Sequence, residues 1–193
     1  MKRATRLRLG ALGGLVGGPA VAWLSGAFLA TWPVWVGHAF INSKDVPFAA
    51  AFVWAVFFLI RIARSGPAPR LVDHGGFALS SGLAIGTRAG GLVLVFVYAA
   101  VALHSLVATL RESSDHRVRR AALRMVTFAA TVSVSYGLMM LAWPWTQEAP
   151  WARSIWAMRL LTRFPRPMEV LFDGKLTVTT RLPWDYVPTW LGL

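Results

Sequence analysis

Two long stretches without a charged side chain constrain this chain more than any other feature. Residues 9–36 contain no Asp, Glu, Lys or Arg, and neither do residues 46–60. An apolar run of about 18 or more residues predicts a transmembrane helix, because only a helix satisfies its own backbone polar groups in lipid. The second run is shorter, but it reaches the required length if the side chain of Arg61 extends to the membrane surface. Both runs therefore predict membrane spans, with the turn at Lys44 and Asp45 at a membrane face.

The composition agrees with a membrane location. Of the 193 residues, 56% are hydrophobic and only 15% are charged, and the mean hydropathy is +0.54. These values are too apolar for an ordinary soluble domain of this size. We predict an all-α, polytopic membrane helix bundle of about four or five membrane segments, one of them broken or re-entrant. Residues 1–143 would form the transmembrane region, and residues 144–193 a small region at the outer face.

The net charge of +12 does not indicate a nucleic-acid partner, because the basic residues concentrate in short stretches between apolar runs. This distribution is typical of loops that face anionic lipid and the cytoplasm, so membrane lipid is the expected partner. The absence of cysteine excludes disulfides, thiolate catalysis and Cys-based metal sites. His74, His104 and His116 show no metal-ligand spacing.

The positive-inside rule predicts the orientation of the spans. Basic residues precede the first span, and further arginines lie in 61–70 and in 111–124. The N-terminus and both of these loops are therefore expected in the cytoplasm. The Lys44–Asp45 turn and the C-terminal region are expected outside. The first apolar run is too long for the core of a secretory signal, so we interpret it as a span that is retained.

The apolar stretch 75–110 is interrupted at 86–91 by glycines and by Arg88. Because both flanking loops are basic, an even number of crossings is expected between them. The stretch could form one short and one full span, or a re-entrant pair that meets at Arg88. A single long tilted helix is the other possibility, and it would violate the charge rule.

Local signals predict further elements. Pro19 is expected to kink the first span, and a further span is predicted over 121–143. Helical spacing of apolar residues against arginines predicts an amphipathic helix over 152–164, on the outer surface. The Asp173-Gly174 pair favours a tight hairpin turn.

Four motifs together resemble a known family. They are Gly37–Ala50, Gly82–Gly91, Trp143-Pro144-Trp145 with Pro150, and Val170–Gly174 with Leu182–Pro188. In this order they resemble a bacterial branch of the polyprenyl-phosphate-sugar glycosyltransferases. That group is similar to the dolichyl-phosphate-mannose protein mannosyltransferases, or glycosyltransferase family 39. The resemblance covers about residues 30–193.

The resemblance implies the GT-C architecture in a bacterial inner membrane, with a sugar-transfer site at the periplasmic face. The donor would be a polyprenyl-phosphate-linked sugar, no cofactor is certain, and a requirement for a divalent metal stays open. Such an enzyme needs a carboxylate as base or to position the acceptor, and basic groups to hold the leaving phosphate. The family's main catalytic Asp lies in the first outer loop, and we identify no counterpart in this chain. Its first span resembles a later family helix, so we expect a fragment, and whether it is an enzyme by itself stays open.

Candidate site residues follow from this resemblance. Asp45 is the candidate catalytic carboxylate, although a carboxylate at a helix start is also favoured by the helix dipole. Arg88 is a candidate phosphate ligand, because a lone charge in an apolar stretch is costly in lipid; it could instead bond carbonyl groups at a helix break. The other candidate substrate-binding residues are Lys44, His38, Asn42, Trp184, Asp185 and Tyr186. For each of them, an ordinary role at the membrane interface is the alternative.

Another class of function is a non-catalytic membrane subunit or scaffold, a truncated or degenerate copy associated with other membrane subunits. The missing first outer loop favours this alternative. A transporter is a weaker idea that depends only on the predicted break at Arg88.

Overall fold

The structure is a computed structural model that describes residues 2–33, 35–37, 44–65, 70–162 and 167–191. His38 and Asn42 lie outside the described residues. The predicted all-α membrane helix bundle is confirmed, since four helices are long and apolar enough to cross a membrane. The helices are α1 (Lys2–Thr31), α2 (Asp45–Ala63), α3 (Leu71–Thr87), α4 (Leu92–Arg111), α5 (Arg117–Ala142), α6 (Pro150–Thr162) and α7 (Tyr186–Leu191).

The helix α1 is bent at Gly18, as Pro19 predicted. Gly18 has φ 80° and ψ −173°, so two helical segments meet there. Proline at the next position cannot donate a backbone hydrogen bond, and glycine tolerates the positive φ, so the pair makes the break sterically easy.

The helices α2 to α5 alternate in direction around α3. Asp45 at the start of α2 pairs with Arg88 after the end of α3, and Arg61 near the end of α2 pairs with Asp73 near the start of α3. These two helices are therefore antiparallel over their whole length. Tyr98 of α4 contacts Phe77 of α3 and Phe128 of α5, at ring-centroid distances of 4.6 and 5.1 Å.

This arrangement defines two ends of the bundle. The basic end contains the end of α2, the start of α3, the end of α4 and the start of α5. The Asp45 end contains the start of α2, the end of α3 and the end of α5. Arg64 at the basic end donates a hydrogen bond to the carbonyl oxygen of Leu15 in α1. The N-terminal half of the apolar run in α1 therefore also lies toward the basic end.

The chain breaks at Arg88, so the single long helix is wrong. Arg88 is extended, with φ −148° and ψ 135°, and a short 3-10 turn, Ala89–Gly91, leads into α4. The reversal is so tight that a Cβ at Gly91 would lie 2.7 Å from the backbone nitrogen of Ile85. The 17 residues of α3 give a length of about 25 Å, and α3 pairs with α2 near both of its ends. Whether α3 is a short span or part of a re-entrant pair stays open.

The helices α3 and α5 approach closely through glycines. A Cβ at Gly82 would lie 2.7 Å from the Cβ of Leu138, and one at Gly86 would lie 2.8 Å from the Cβ of Ala142. Small residues spaced by four allow such contact between membrane helices. The hydroxyls of Ser81 and Ser135, both buried, share a hydrogen bond of 2.9 Å across the same interface. The core of the bundle therefore centres on α3.

The chain divides into two compact units, Met1–Arg153 and Ser154–Leu193. In the second unit, β1 (Glu169–Phe172) pairs antiparallel with β2 (Lys175–Val178). Asp173 and Gly174 between them have φ values of 49° and 71°. Positive φ at both turn residues is required by a type I′ turn, so the predicted hairpin is confirmed. The predicted amphipathic segment is helical as α6.

Candidate functional site

The Asp45 end of the bundle carries the central pair of the candidate site. Oδ1 of Asp45 and Nη2 of Arg88 form an ion pair, and their side chains are 35% and 47% exposed. Both groups are therefore accessible from the end of the bundle while remaining tied to two different helices.

Backbone geometry holds this pair in place. Asp45 is the first residue of α2, where a negative charge interacts favourably with the helix dipole. The backbone N–H of Arg88 donates to the carbonyl oxygen of Ala84 at 2.9 Å, and its own carbonyl accepts from the N–H of Gly91 at 2.9 Å. Arg88 is thus fixed on both sides although its backbone is not helical. Lys44, directly before Asp45, is exposed and adds a second positive charge at this end.

A second motif of the sequence meets Arg88's segment at the same end. The indole Nε1–H of Trp143 donates to the carbonyl oxygen of Gly86 at 2.8 Å. Beyond it, Arg153 forms an ion pair with Glu148 and donates to the carbonyl oxygen of Trp145. The segments Gly37–Ala50, Gly82–Gly91 and Trp143–Pro150, distant in sequence, therefore converge through contacts of their described residues.

The arrangement has a clear chemical capacity. A guanidinium can bind two oxygens of a phosphate at once. Arg88 presents one at the end of the bundle, and Lys44 directly precedes the neighbouring helix α2. Phosphate oxygens bound there would compete with the carboxylate of Asp45. Displaced from Arg88, the carboxylate could accept a proton or a hydrogen bond from a hydroxyl group.

The C-terminal candidates belong to the second unit. Trp184 is 89% exposed, whereas Tyr186 packs edge-on against Phe172 with a centroid distance of 5.1 Å. Asp185 lines a surface depression of about 530 Å³ together with Leu171, Phe172, Asp173 and Thr189. The exposed indole and the carboxylate of Asp185 are the groups in this unit that could contact a sugar ring and its hydroxyls.

A second polar cluster lies at the basic end, and its residues were not among the site candidates predicted from the sequence. Asp73 is 1% exposed and accepts a hydrogen bond of 2.7 Å from Nε of Arg61. Its Oδ2 has no hydrogen-bond partner among the residues that the structure describes. Next to it, Nδ1 of His74 and the hydroxyl of Tyr98 lie 2.8 Å apart. The signal was a lone acidic residue ahead of an apolar stretch, which in a membrane helix points to a buried, paired group.

Arg61 has a partner that the sequence did not predict. Its guanidinium pairs with Asp73 on α3 and remains 38% exposed, and the expectation that its side chain reaches the membrane surface stays a prediction. The sequence of α2 alone does not show that a carboxylate on α3 pairs with Arg61.

Within the described parts of the chain, no group of three or more His, Asp or Glu side chains could hold a metal ion. No family model, no curated protein and no solved structure matches the sequence. The resemblance to glycosyltransferases therefore depends on the four motifs themselves.

Proposed function

We propose that this chain is part of a membrane glycosyltransferase that transfers a sugar from a polyprenyl-phosphate donor to an acceptor at the Asp45 end of the bundle. The observation that carries the proposal is the convergence of three of its four motifs there, through the Asp45–Arg88 ion pair and the Trp143–Gly86 hydrogen bond. This convergence supports the proposal because it gathers a carboxylate and two cationic side chains at one accessible end of the bundle.

Each charged group has a role in this reaction. Arg88 and Lys44 hold the phosphate of the donor, and the phosphate displaces Asp45 from the guanidinium. The carboxylate of Asp45 then takes the proton of the acceptor hydroxyl as its oxygen bonds to the anomeric carbon. The bond from that carbon to the phosphate oxygen breaks, and polyprenyl phosphate leaves with the bonding electron pair.

The charge distribution supports an orientation. The loop and helix ends at the basic end carry Arg64, Arg70, Arg111, Arg117 and Arg119, which favours the cytoplasmic side of a bacterial inner membrane. The Asp45 end would then face the periplasm, where lipid-linked sugars are used.

Binding of the lipid phosphate tests the proposal before any sugar is known. The purified chain in detergent is incubated with polyprenyl phosphate or with the uncharged polyprenol, and retained lipid is measured by native mass spectrometry. We expect preference for the phosphate, and Arg88→Gln should abolish the preference. Arg153→Gln is the matched control, because it removes one guanidinium from another ion pair at the same end and should leave the preference intact.

Asp45→Asn separates binding from transfer. Removing the competing carboxylate should maintain or strengthen phosphate binding, whereas release of polyprenyl phosphate from a sugar-loaded donor should fall by at least about 100-fold. Equal retention of polyprenol and polyprenyl phosphate by the unaltered chain would refute the proposal.

A non-catalytic subunit is the second candidate, favoured by the mutual neutralisation of Asp45 and Arg88. If the pair only joins α2 to α3, Asp45→Asn and Arg88→Gln should lower stability to similar extents, and neither should change lipid selectivity.

A further inference from the structure

A cavity at the basic end lies far along the bundle from the Asp45–Arg88 pair. Its volume is about 330 Å³, and residues of α2, α3, α4 and α5 line it. Most of the wall is aliphatic or aromatic, including Leu103, Leu106 and Phe128. Small-molecule sites typically occupy about 300–1,000 Å³ and combine apolar walls with a few placed polar groups, and this cavity has that character.

Polar groups gather on one part of the wall. Arg124 supplies a full positive charge, and His74, Tyr98, Ser105 and Thr127 supply hydrogen-bonding groups. His74 and Tyr98 are already oriented by their mutual hydrogen bond of 2.8 Å. The cavity is therefore amphiphilic, with an apolar interior and a cationic, hydrogen-bonding region.

The charge balance around the cavity favours an anion. The carboxylate of Asp73, next to His74 in sequence, is paired with Arg61, so that couple adds no net charge. The adjoining segment 111–124 contains five arginines and two carboxylates, and one of those carboxylates, Glu112, is paired with Arg120 at 2.9 Å. The segment that contains Arg124 therefore carries a surplus of positive charge.

We propose that this cavity binds an anionic phospholipid, with part of an acyl chain in the apolar interior and the phosphate at Arg124. Basic pockets between membrane helices bind the headgroups of anionic lipids in this way. A zwitterionic lipid gains less from the surplus charge, and a free phosphate ion would leave the apolar wall empty. This inference is independent of the proposed glycosyltransferase function, because it concerns the other end of the bundle and a different lipid.

Charge-matched variants test the headgroup contact. The purified chain in detergent is titrated with phosphatidylglycerol, phosphatidylcholine or inorganic phosphate, and binding is measured by native mass spectrometry. Arg124→Gln should weaken phosphatidylglycerol binding about fivefold, the effect of one basic residue near an anionic lipid. Arg119→Gln removes the same charge from the same helix, but Arg119 is exposed and does not line the cavity, so it should change binding less than twofold.

A space-filling pair tests the acyl-chain contact separately. Ala102 lines the cavity, whereas Ala108 on the same helix is exposed outside it. Ala102→Phe should weaken the binding of phosphatidylglycerol by at least about fivefold, and Ala108→Phe should leave this binding unchanged.

Three results would overturn the inference. Equal losses in Arg124→Gln and Arg119→Gln would mean a diffuse surface charge rather than a site. Unchanged lipid binding in a folded Ala102→Phe would place the acyl chain elsewhere. Inorganic phosphate that binds as tightly as phosphatidylglycerol would mean an ion site without a lipid.

Discussion

The carboxylate of Asp45 and the guanidinium of Arg88 form an ion pair that joins the first residue of α2 to the residue that follows α3. The pair links two of the sequence motifs at the Asp45 end of the bundle.

The coupling between Asp45 and Arg88 should be measurable but modest. Both side chains are partly exposed, and pairs of this kind contribute about 0.2–1 kcal/mol. A double-mutant cycle with Asp45→Asn and Arg88→Gln, followed by denaturant unfolding in mixed micelles, should give a coupling energy in that range. The Glu148–Arg153 pair is the comparison. Because the Glu148 side chain is 72% exposed, its coupling should be smaller, and a larger value there would contradict the expected dependence on burial.

The Arg61–Asp73 pair should respond asymmetrically to loss of each partner. Arg61→Met leaves the almost fully buried Asp73 without its counter-ion, which should lower the free energy of unfolding by about 3 kcal/mol. Asp73→Asn leaves Arg61 without its partner, but the partly exposed side chain of Arg61 can extend to the headgroups. The free energy of unfolding should therefore fall by only about 1 kcal/mol. Unfolding in mixed micelles measures both.

Arg64→Met is the control for the loss of a neighbouring guanidinium. Arg64 is exposed and donates one hydrogen bond to the carbonyl oxygen of Leu15, so the cost should be near 1 kcal/mol. Equal losses of unfolding free energy in Arg61→Met and Arg64→Met would show that leaving the buried Asp73 without its counter-ion has no additional cost.

Glycines of α3 should differ sharply in their tolerance of alanine. A Cβ at Gly82 would meet the backbone oxygen of Ser135 at 2.8 Å, whereas a Cβ at Gly75 meets nothing within 4 Å. Gly82→Ala should therefore destabilise the bundle by about 1–3 kcal/mol, because α5 must move away. Gly75→Ala should stabilise the bundle by about 0.5–1 kcal/mol, because alanine lowers the conformational entropy of the unfolded chain. Thermal unfolding of the two variants compares them directly, and similar effects would contradict the close contact of α3 and α5.

The proposed orientation gives a labelling prediction that benefits from the absence of natural cysteine. Gln147→Cys places a thiol at the Asp45 end, and Asp115→Cys places one in the basic loop between α4 and α5. In intact bacterial cells, a membrane-impermeant maleimide should label the first variant, and the second only after permeabilisation. The reverse pattern would invert the orientation and move the proposed transfer site to the cytoplasm.

Much of the secondary structure could be predicted because its causes are local. The uncharged run 46–60 predicted α2, Pro19 predicted the bend of α1, and Asp173-Gly174 predicted the hairpin. The interruption around Arg88 was also visible in the sequence, although the end of a helix there was one of several possibilities. Length, missing backbone donors and glycine conformation decide these features within a few residues.

The tertiary structure decided which polar groups meet. The sequence selected Asp45 and Arg88 separately, but their pairing depends on the antiparallel packing of α2 and α3. It did not select Asp73, whose burial and ion pair with Arg61 depend on the central position of α3.

The physical reason is that lipid and protein interior are both apolar. In a soluble helix the apolar face shows which side is buried, but a membrane helix is apolar on its lipid face and its packed face alike. Apolar runs thus determined where this chain crosses the membrane. Only contacts between helices, through Gly82, Ser81 and the two ion pairs, decided which side of each helix faces its neighbours and where the candidate site forms.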